Sequence, residues 1–144
     1  MGLSDNIIRQ YYVIPSDDFS LAGEASSSVK KILNQLGVNP QTVKKVSIAM
    51  YEAEINAVIH ARGGTADVEI GKGKVLVRIN DEGPGIPDLD LAMQEGYSTA
   101  PDSVRELGFG AGMGLPNIKR YADKLDIKTE VGKGTSVEIT VFLQ

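Results

Sequence analysis

Ile48-Ala49-Met50-Tyr51-Glu52-Ala53-Glu54-Ile55-Asn56-Ala57-Val58-Ile59-His60 is the stretch from which the rest of the chain is read. Its apolar residues recur at helical spacing, and upstream Asn39-Pro40 is a cap followed by proline at the first helical position. The helix is predicted to run to about Ala61, with Gly63-Gly64 beyond its end. At about 100° per residue, Glu52, Asn56 and His60 form one stripe. Ile48, Ile55 and Ile59 flank it on one side, and Ala49, Ala53 and Ala57 on the other. Burying an unpaired carboxylate costs roughly several kcal/mol, so something polar is expected to meet this stripe. Glu54 points to the opposite side and is expected to be solvated.

The surrounding pattern supplies the other elements. Ile7 to Ile14 is rich in β-branched and aromatic residues, stops at Pro15 and reads as a strand. Ser16, Asp17 and Asp18 are helix-start residues, and Phe19, Ala22, Ala25, Val29, Ile32, Leu33 and Leu36 follow at helical spacing up to Gly37. The Ser26-Ser27-Ser28 triplet falls inside that helix as a small-residue face. Ala66 to Ile70 and Lys74 to Asn80 read as a hairpin around Gly71-Lys72-Gly73. Asp88 to Glu95 suits a short helix, and residues 97–109 have no clear period. Leu115, Ile118, Tyr121, Ala122 and Leu125 mark another helix. Ile127 to Val131 and Ser136 to Leu143 are predicted as a closing hairpin around Gly132-Lys133-Gly134. Helices and strands come in groups, which favours an α+β two-layer sandwich over a doubly wound sheet. The helices are expected to cover one face of a mixed, mostly antiparallel sheet, with residues 1–144 as a single domain.

Three polar segments carry the chemistry. On the helix, Asn56 offers a neutral carbonyl oxygen suited to magnesium, which takes few protein ligands beside phosphate and water. Glu52, one turn earlier, is placed to take a proton from an attacking hydroxyl or water. A buried hydrogen-bonded network joining helix to sheet explains this stripe equally well, and His60 reads as a packing or hydrogen-bonding residue. The second segment, Asp81-Glu82-Gly83-Pro84-Gly85-Ile86, ends the alternating strand Val75 to Asn80. Its glycines permit a tight path close to a ligand, and a carboxylate there suits an adenine amino group. Taken alone it is also an ordinary surface turn. The third, Gly108-Phe109-Gly110-Ala111-Gly112-Met113-Gly114, runs directly into a helix. Backbone N–H groups of such a loop face phosphates readily. No Gly-Lys-Ser/Thr follows, so this is not a P-loop, and the preceding segment is not the strand of a dinucleotide fingerprint.

Bulk composition narrows the field. A net charge of −4 gives no global attraction to nucleic acid or anionic membrane. With no cysteines, disulfides and thiolate chemistry are excluded. No apolar run approaches a membrane span and no signal-peptide pattern opens the chain, which together suggest a cytoplasmic protein.

Glu52-x-x-x-Asn56, Asp81-x-Gly83-x-Gly85 and Gly108-x-Gly110-x-Gly112-x-Gly114 resemble the N, G1 and G2 boxes of the gyrase–Hsp90–histidine kinase–MutL ATPase superfamily. Gly132-Lys133-Gly134-Thr135 resembles its final box. The family fold is the Bergerat sandwich. Within it, Asp81 to Pro87 and Gly114-Leu115-Pro116 followed by Lys119-Arg120 are similar to anti-sigma-factor serine kinases and switch kinases. The resemblance implies Glu52 as catalytic base, Asn56 as magnesium ligand and Asp81 as adenine reader, with Gly83 and Gly85 shaping its pocket. It also implies that Gly108, Gly110, Gly112, Met113, Gly114 and Leu115 border the nucleotide and that Thr135 supports adenine. The resemblance also makes Arg105, within the expected ATP lid, a candidate for contact with the terminal phosphate. The implied activity is serine/threonine phosphorylation of a STAS-domain antagonist by Mg·ATP, with a sigma factor as a further partner. A nucleotide-gated sequestering protein and a free ATPase are the alternatives. The N-terminal strand is a candidate for pairing across a homodimer, or equally an edge strand within a monomer.

Overall fold

The computed structural model describes residues 7–15, 22–61, 63–86, 88–94 and 114–143. In chain order the elements are β1 (Ile8–Ile14), α1 (Glu24–Gln35), α2 (Pro40–Ala61), β2 (Gly64–Gly71), β3 (Lys74–Asp81), α3 (Leu89–Ala92), α4 (Gly114–Tyr121), β4 (Lys124–Glu130) and β5 (Gly134–Phe142). The five strands form one sheet in the order β1-β2-β3-β5-β4, with every pairing antiparallel. This is the α+β two-layer architecture that the grouping of elements predicts. The expected helix start at Ser16, Asp17 and Asp18, residues 97–109 with Arg105, and Gly108, Gly110, Gly112 and Met113 lie outside the described residues, as does the His60 side chain.

Strand alternation places one apolar row after another on the helix-facing side of the sheet. Ala66, Ile79 and Val137 align across β2, β3 and β5; Val68, Val77 and Ile139 form the next row, and Ile70, Val75 and Val141 the third. All nine are buried. The β2–β3 hairpin turns through Lys72 and Gly73 with φ of 53° and 79°, flanked by the Gly71–Lys74 pair. Two residues of positive φ match the twist of the strands they join. β1 is an edge strand, and its Tyr11 and Val13 are exposed on the outer face.

α2 is the centre of the helix layer. It packs on β2, β3 and β5, with α1 along one flank and α4 along the other. Asn39 caps its start, its Oδ1 accepting from Gln41 N at 2.8 Å. Three-sided packing leaves only Gln41, Lys44 and Tyr51 of its described side chains exposed after Pro40. One expectation therefore fails. Glu54, read as solvated, is 1% exposed. Its carboxylate accepts from Gly23 N at 3.0 Å, Ala25 N at 3.1 Å and Ser26 N at 3.0 Å. α1 begins at Gly23, which has no capping side chain of its own. Glu54 replaces the missing cap from a neighbouring helix, satisfying orphan N–H groups with a favourable charge at a helix start.

A smaller correction concerns Leu125, which belongs to β4 rather than to the preceding helix. α4 stops at Tyr121 because Asp123 crosslinks the turn that follows. Asp123 accepts from Lys45 of α2 at 2.6 Å through Oδ1 and from Phe142 N at 2.8 Å through Oδ2. These bonds, the one from Lys45 foremost, hold its carboxyl below the ordinary carboxylate range. A depressed folded pKa stabilises the fold above the unfolded value of about 3.9, and the contribution disappears as pH falls through the folded value.

Two stability outcomes follow. Glu54→Ala leaves buried N–H groups unsatisfied and is expected to cost about 3 kcal/mol in urea unfolding. A loss under about 1 kcal/mol would show that solvent caps α1 instead. Asp123→Asn is expected to cost no more than about 1 kcal/mol at pH 7, because the pair is partly solvated. Its difference from the wild type should vanish in unfolding experiments near pH 2 and persist at pH 6, following the protonation of Asp123.

Candidate active site

The polar stripe on α2 meets α4. Gly114, the first residue of α4, lies so close to Asn56 that an added Cβ would fall 2.9 Å from Nδ2 and 3.0 Å from Oδ1. One turn on, the Asn117 side chain faces Glu52. An ionised carboxylate only accepts, so Asn117 faces it through Nδ2. Further along, Lys45 meets Asp123. The three contacts pair decreasing positions on α2 with increasing positions at α4 and its end, so the two helices run antiparallel. Ile118 of α4, fully buried, seals the seam from the core side. Glu52 and Asn56 are both half-buried. Burial is the main influence on the Glu52 carboxyl and pushes its pKa up; the facing Asn117 amide opposes it and is the weaker effect. A carboxylate with raised affinity for protons is suited to general-base work.

The strand side of the site is the next row beyond the apolar ones. Asp81 pairs with Thr135, and Thr135 with Thr129, so three polar residues align across β3, β5 and β4 on the helix-facing side. Asp81 Oδ1 accepts from Gly83 N at 2.9 Å and from Thr135 N at 3.1 Å, which fixes both the carboxylate and the turn after it. Thr129 Oγ1 accepts from Ile86 N at 2.8 Å and lies 2.9 Å from Thr135 Oγ1. Gly132 N donates to Pro84 O at 2.9 Å. The Asp81–Ile86 turn is thus stitched to the β4–β5 turn at several points. Two glycines make the stitching possible. Gly85 has φ of 80° and a Cβ there would lie 2.5 Å from Glu130 O; at Gly134 it would lie 2.1 Å from Asp81 O.

Both halves lie at one end of the molecule. α2 finishes at Ala61, and Gly64 sits directly against the end of β3, a Cβ there falling 3.2 Å from Asp81 Cα. The structure therefore brings Glu52, Asn56 and Gly114 together on the helix side, and Asp81, Gly83, Gly85 and Thr135 together on the sheet side. Leu115 packs against the core from the first turn of α4. Two residues of the site went unread in the sequence. Asn117 follows Gly114 by three and so shares its helix face. Thr129 continues the inward alternation of Leu125 and Ile127. Among the described residues, no group of three or more His, Cys, Asp or Glu is placed to hold a metal ion by itself. The donor at hand is the neutral Asn56 carboxamide, which fits a hard cation brought in with phosphate oxygens. No helix among the described residues is long and apolar enough to cross a membrane.

A model of the histidine kinase-like ATPase domain matches residues 14–141, and the chain belongs to that family. The expected membership of the gyrase–Hsp90–histidine kinase–MutL superfamily is borne out. Among curated proteins, the chain is 28% identical over 119 residues to the serine/threonine-protein kinase RsbT of Bacillus subtilis, covering 80% of this chain and 84% of RsbT. It is 30% identical over 143 residues to the anti-sigma F factor of Clostridium beijerinckii, covering 95% and 94% of the two chains. The anti-sigma F factor of Clostridium kluyveri is 31% identical over 136 residues, covering 91% and 90%. Among solved structures, the RsbU and RsbW domains of Rv1364c from Mycobacterium tuberculosis superpose with a TM-score of 0.64 at 15% identity, over 94% of this chain and 32% of that one. The SiaB–SiaC complex from Pseudomonas aeruginosa gives 0.59 at 16% identity, over 92% and 88%. These two likenesses place the fold.

The Gly114–Asn56 approach makes a direct test. Gly114→Ala is expected to displace the Asn56 carboxamide and weaken Mg·ATP binding about tenfold, roughly 1.4 kcal/mol, in calorimetry. The melting temperature should change little, because the displaced group is the end of a half-buried side chain. Unaltered affinity would separate Asn56 from the nucleotide.

Proposed function

We propose that this protein is an ATP-dependent serine/threonine kinase whose acceptor is a hydroxyl of a small STAS-domain antagonist protein. The observation that carries the reading is the α2–α4 seam. It sets a carboxylate of raised pKa one turn from a carboxamide, beside the helix that leaves the glycine segment. In the reaction the acceptor oxygen bonds to the γ-phosphorus, the bond to the ADP oxygen breaks, and the hydroxyl proton passes to Glu52. Asp81, held by Gly83 and Thr135, accepts from the adenine amino group, and Thr135 supports the same ring. Asn56 would hold magnesium, which when bound would neutralise charge on the phosphates. Gly114 and Leu115, at the start of α4, border the nucleotide. Phosphoryl transfer depends chiefly on positioning and charge neutralisation, so a rigid seam beneath the reacting groups suits it.

A second reading has its own support. The relatives from Clostridium carry the name anti-sigma F factor. In that reading the chain sequesters a sigma factor in a nucleotide-dependent way and transfers little or no phosphate. A pull-down of sigma factor with and without ATP distinguishes it from the kinase reading.

Incubation with labelled ATP, magnesium and candidate STAS proteins from the same genome neighbourhood is the primary test. Glu52→Gln is expected to lower transfer by at least about 100-fold while its Kd for Mg·ATP stays within about twofold. Asn56→Ala should instead weaken Mg·ATP by about tenfold or more. A Glu52→Gln enzyme working at the wild-type rate would remove the base from the mechanism. Because burial raises the Glu52 pKa, the rate should fall with acidification at a higher pH than for an ordinary carboxylate.

A further inference from the structure

We infer that Asn117 is a positioning residue for Glu52, holding the base carboxylate from the first turn of α4 and tying its orientation to the end of the glycine segment. The inference rests on the kinase reading for its functional meaning, but its structural content is independent of it.

The geometry has three parts. Gly114 and Asn117 stand three residues apart in the first turn of α4 and share one face. Asn56 and Glu52 stand four apart on α2 and share another. Because the helices are antiparallel, each residue of one pair meets one of the other: Gly114 packs against Asn56, and Asn117 faces Glu52. Lys45 and Asp123 at 2.6 Å, with Ile118 fully buried between these contacts, fix the register. Sliding α4 by one turn would break all three contacts together. The same register that brings Gly114 to Asn56 therefore brings Asn117 to Glu52.

The chemistry explains why an asparagine suits this place. A glutamate side chain has several rotatable bonds, and immobilising it costs rotamer entropy. Transfer needs the carboxylate in near-attack geometry, where small misplacements are costly. One donor on a helix supplies that restraint. A lysine or arginine at the same point would also restrain Glu52, but a cation within hydrogen-bond distance lowers a carboxyl pKa and weakens it as a base. An aspartate would repel it. A neutral amide orients the carboxylate with least loss of basicity. A carboxylate has two oxygens and about four acceptor sites, so one amide does not saturate it, and the acceptor hydroxyl has room to donate.

The test uses the full chain and two independent readouts. The first is the carboxyl carbon-13 resonance of Glu52, followed by NMR without nucleotide in the wild type, Asn117→Leu and Asn117→Gln. Loss of the amide donor in Asn117→Leu should move the resonance, and Asn117→Gln should return it most of the way. The second is single-turnover transfer to the STAS acceptor. Asn117→Leu should be about tenfold slower with an unchanged Kd for Mg·ATP, and Asn117→Gln should recover most of the rate. An unmoved Glu52 resonance overturns the inference, as does a wild-type transfer rate in Asn117→Leu. Parallel loss of Mg·ATP affinity also overturns it, by making Asn117 part of the nucleotide pocket. If the wild type transfers no phosphate, the kinase reading fails, and the resonance alone then decides whether Asn117 holds Glu52.

Discussion

The antiparallel contact between α2 and α4 is the constraint on which the site depends. At Gly114 a glycine Cα faces the Asn56 carboxamide, with no space for a methyl group unless the carboxamide moves. Close approach there lets the first turn of α4 reach Glu52, and the Lys45–Asp123 pair holds the far end in register. Neither helix alone contains a site. α2 carries a carboxylate and an amide with no polar partner, and α4 begins with a glycine and a short amide. Packed together, they give Glu52 both its burial and the amide that faces it.

The sheet contributes by the same logic of rows. Three apolar rows bury against α2, and the next row, Asp81-Thr135-Thr129, is polar. Polar residues on the helix-facing side of a sheet need partners, and here each partners the next or a turn amide. The turn after β3 is rigid as a result, although its composition of glycine and proline would allow many conformations. Glycines at positions 85 and 134 serve a close backbone approach, not flexibility. α1 is anchored by another long-range polar contact, the Glu54 carboxylate at its N-terminus. Glu52, Glu54 and Asn56 thus sit within five residues of α2 and serve two different neighbours.

Much of the architecture was legible because it follows from local periodicity. Alternation in Val75 to Asn80 and in Ser136 to Val141, the Asn39-Pro40 cap and the glycine turns all have short-range physical causes, and they appear where they were expected. Glu54 was misread for a definite reason. A helical wheel divides a helix into one apolar arc and one wet face, whereas α2 has partners on three sides, so a residue opposite the stripe is still interior. Leu125 was misread because an apolar residue at helical spacing also fits a strand that starts directly after the helix. Asn117 was overlooked because its significance comes from the residue it faces, fifty and more positions away in the chain.

By itself the sequence determined the order of elements, the inward faces of the strands, the family and the two groups of residues that belong to its motifs. Those properties depend on spacing along the chain, which periodicity and turn chemistry encode directly. Only the tertiary structure decided which carboxylate of α2 is a helix cap and which has a raised proton affinity, and which amide meets it. Desolvation and hydrogen bonding are set by what lies across an interface. Glu52 and Glu54 are the same residue type two positions apart, and their different environments come entirely from the helices packed on either side.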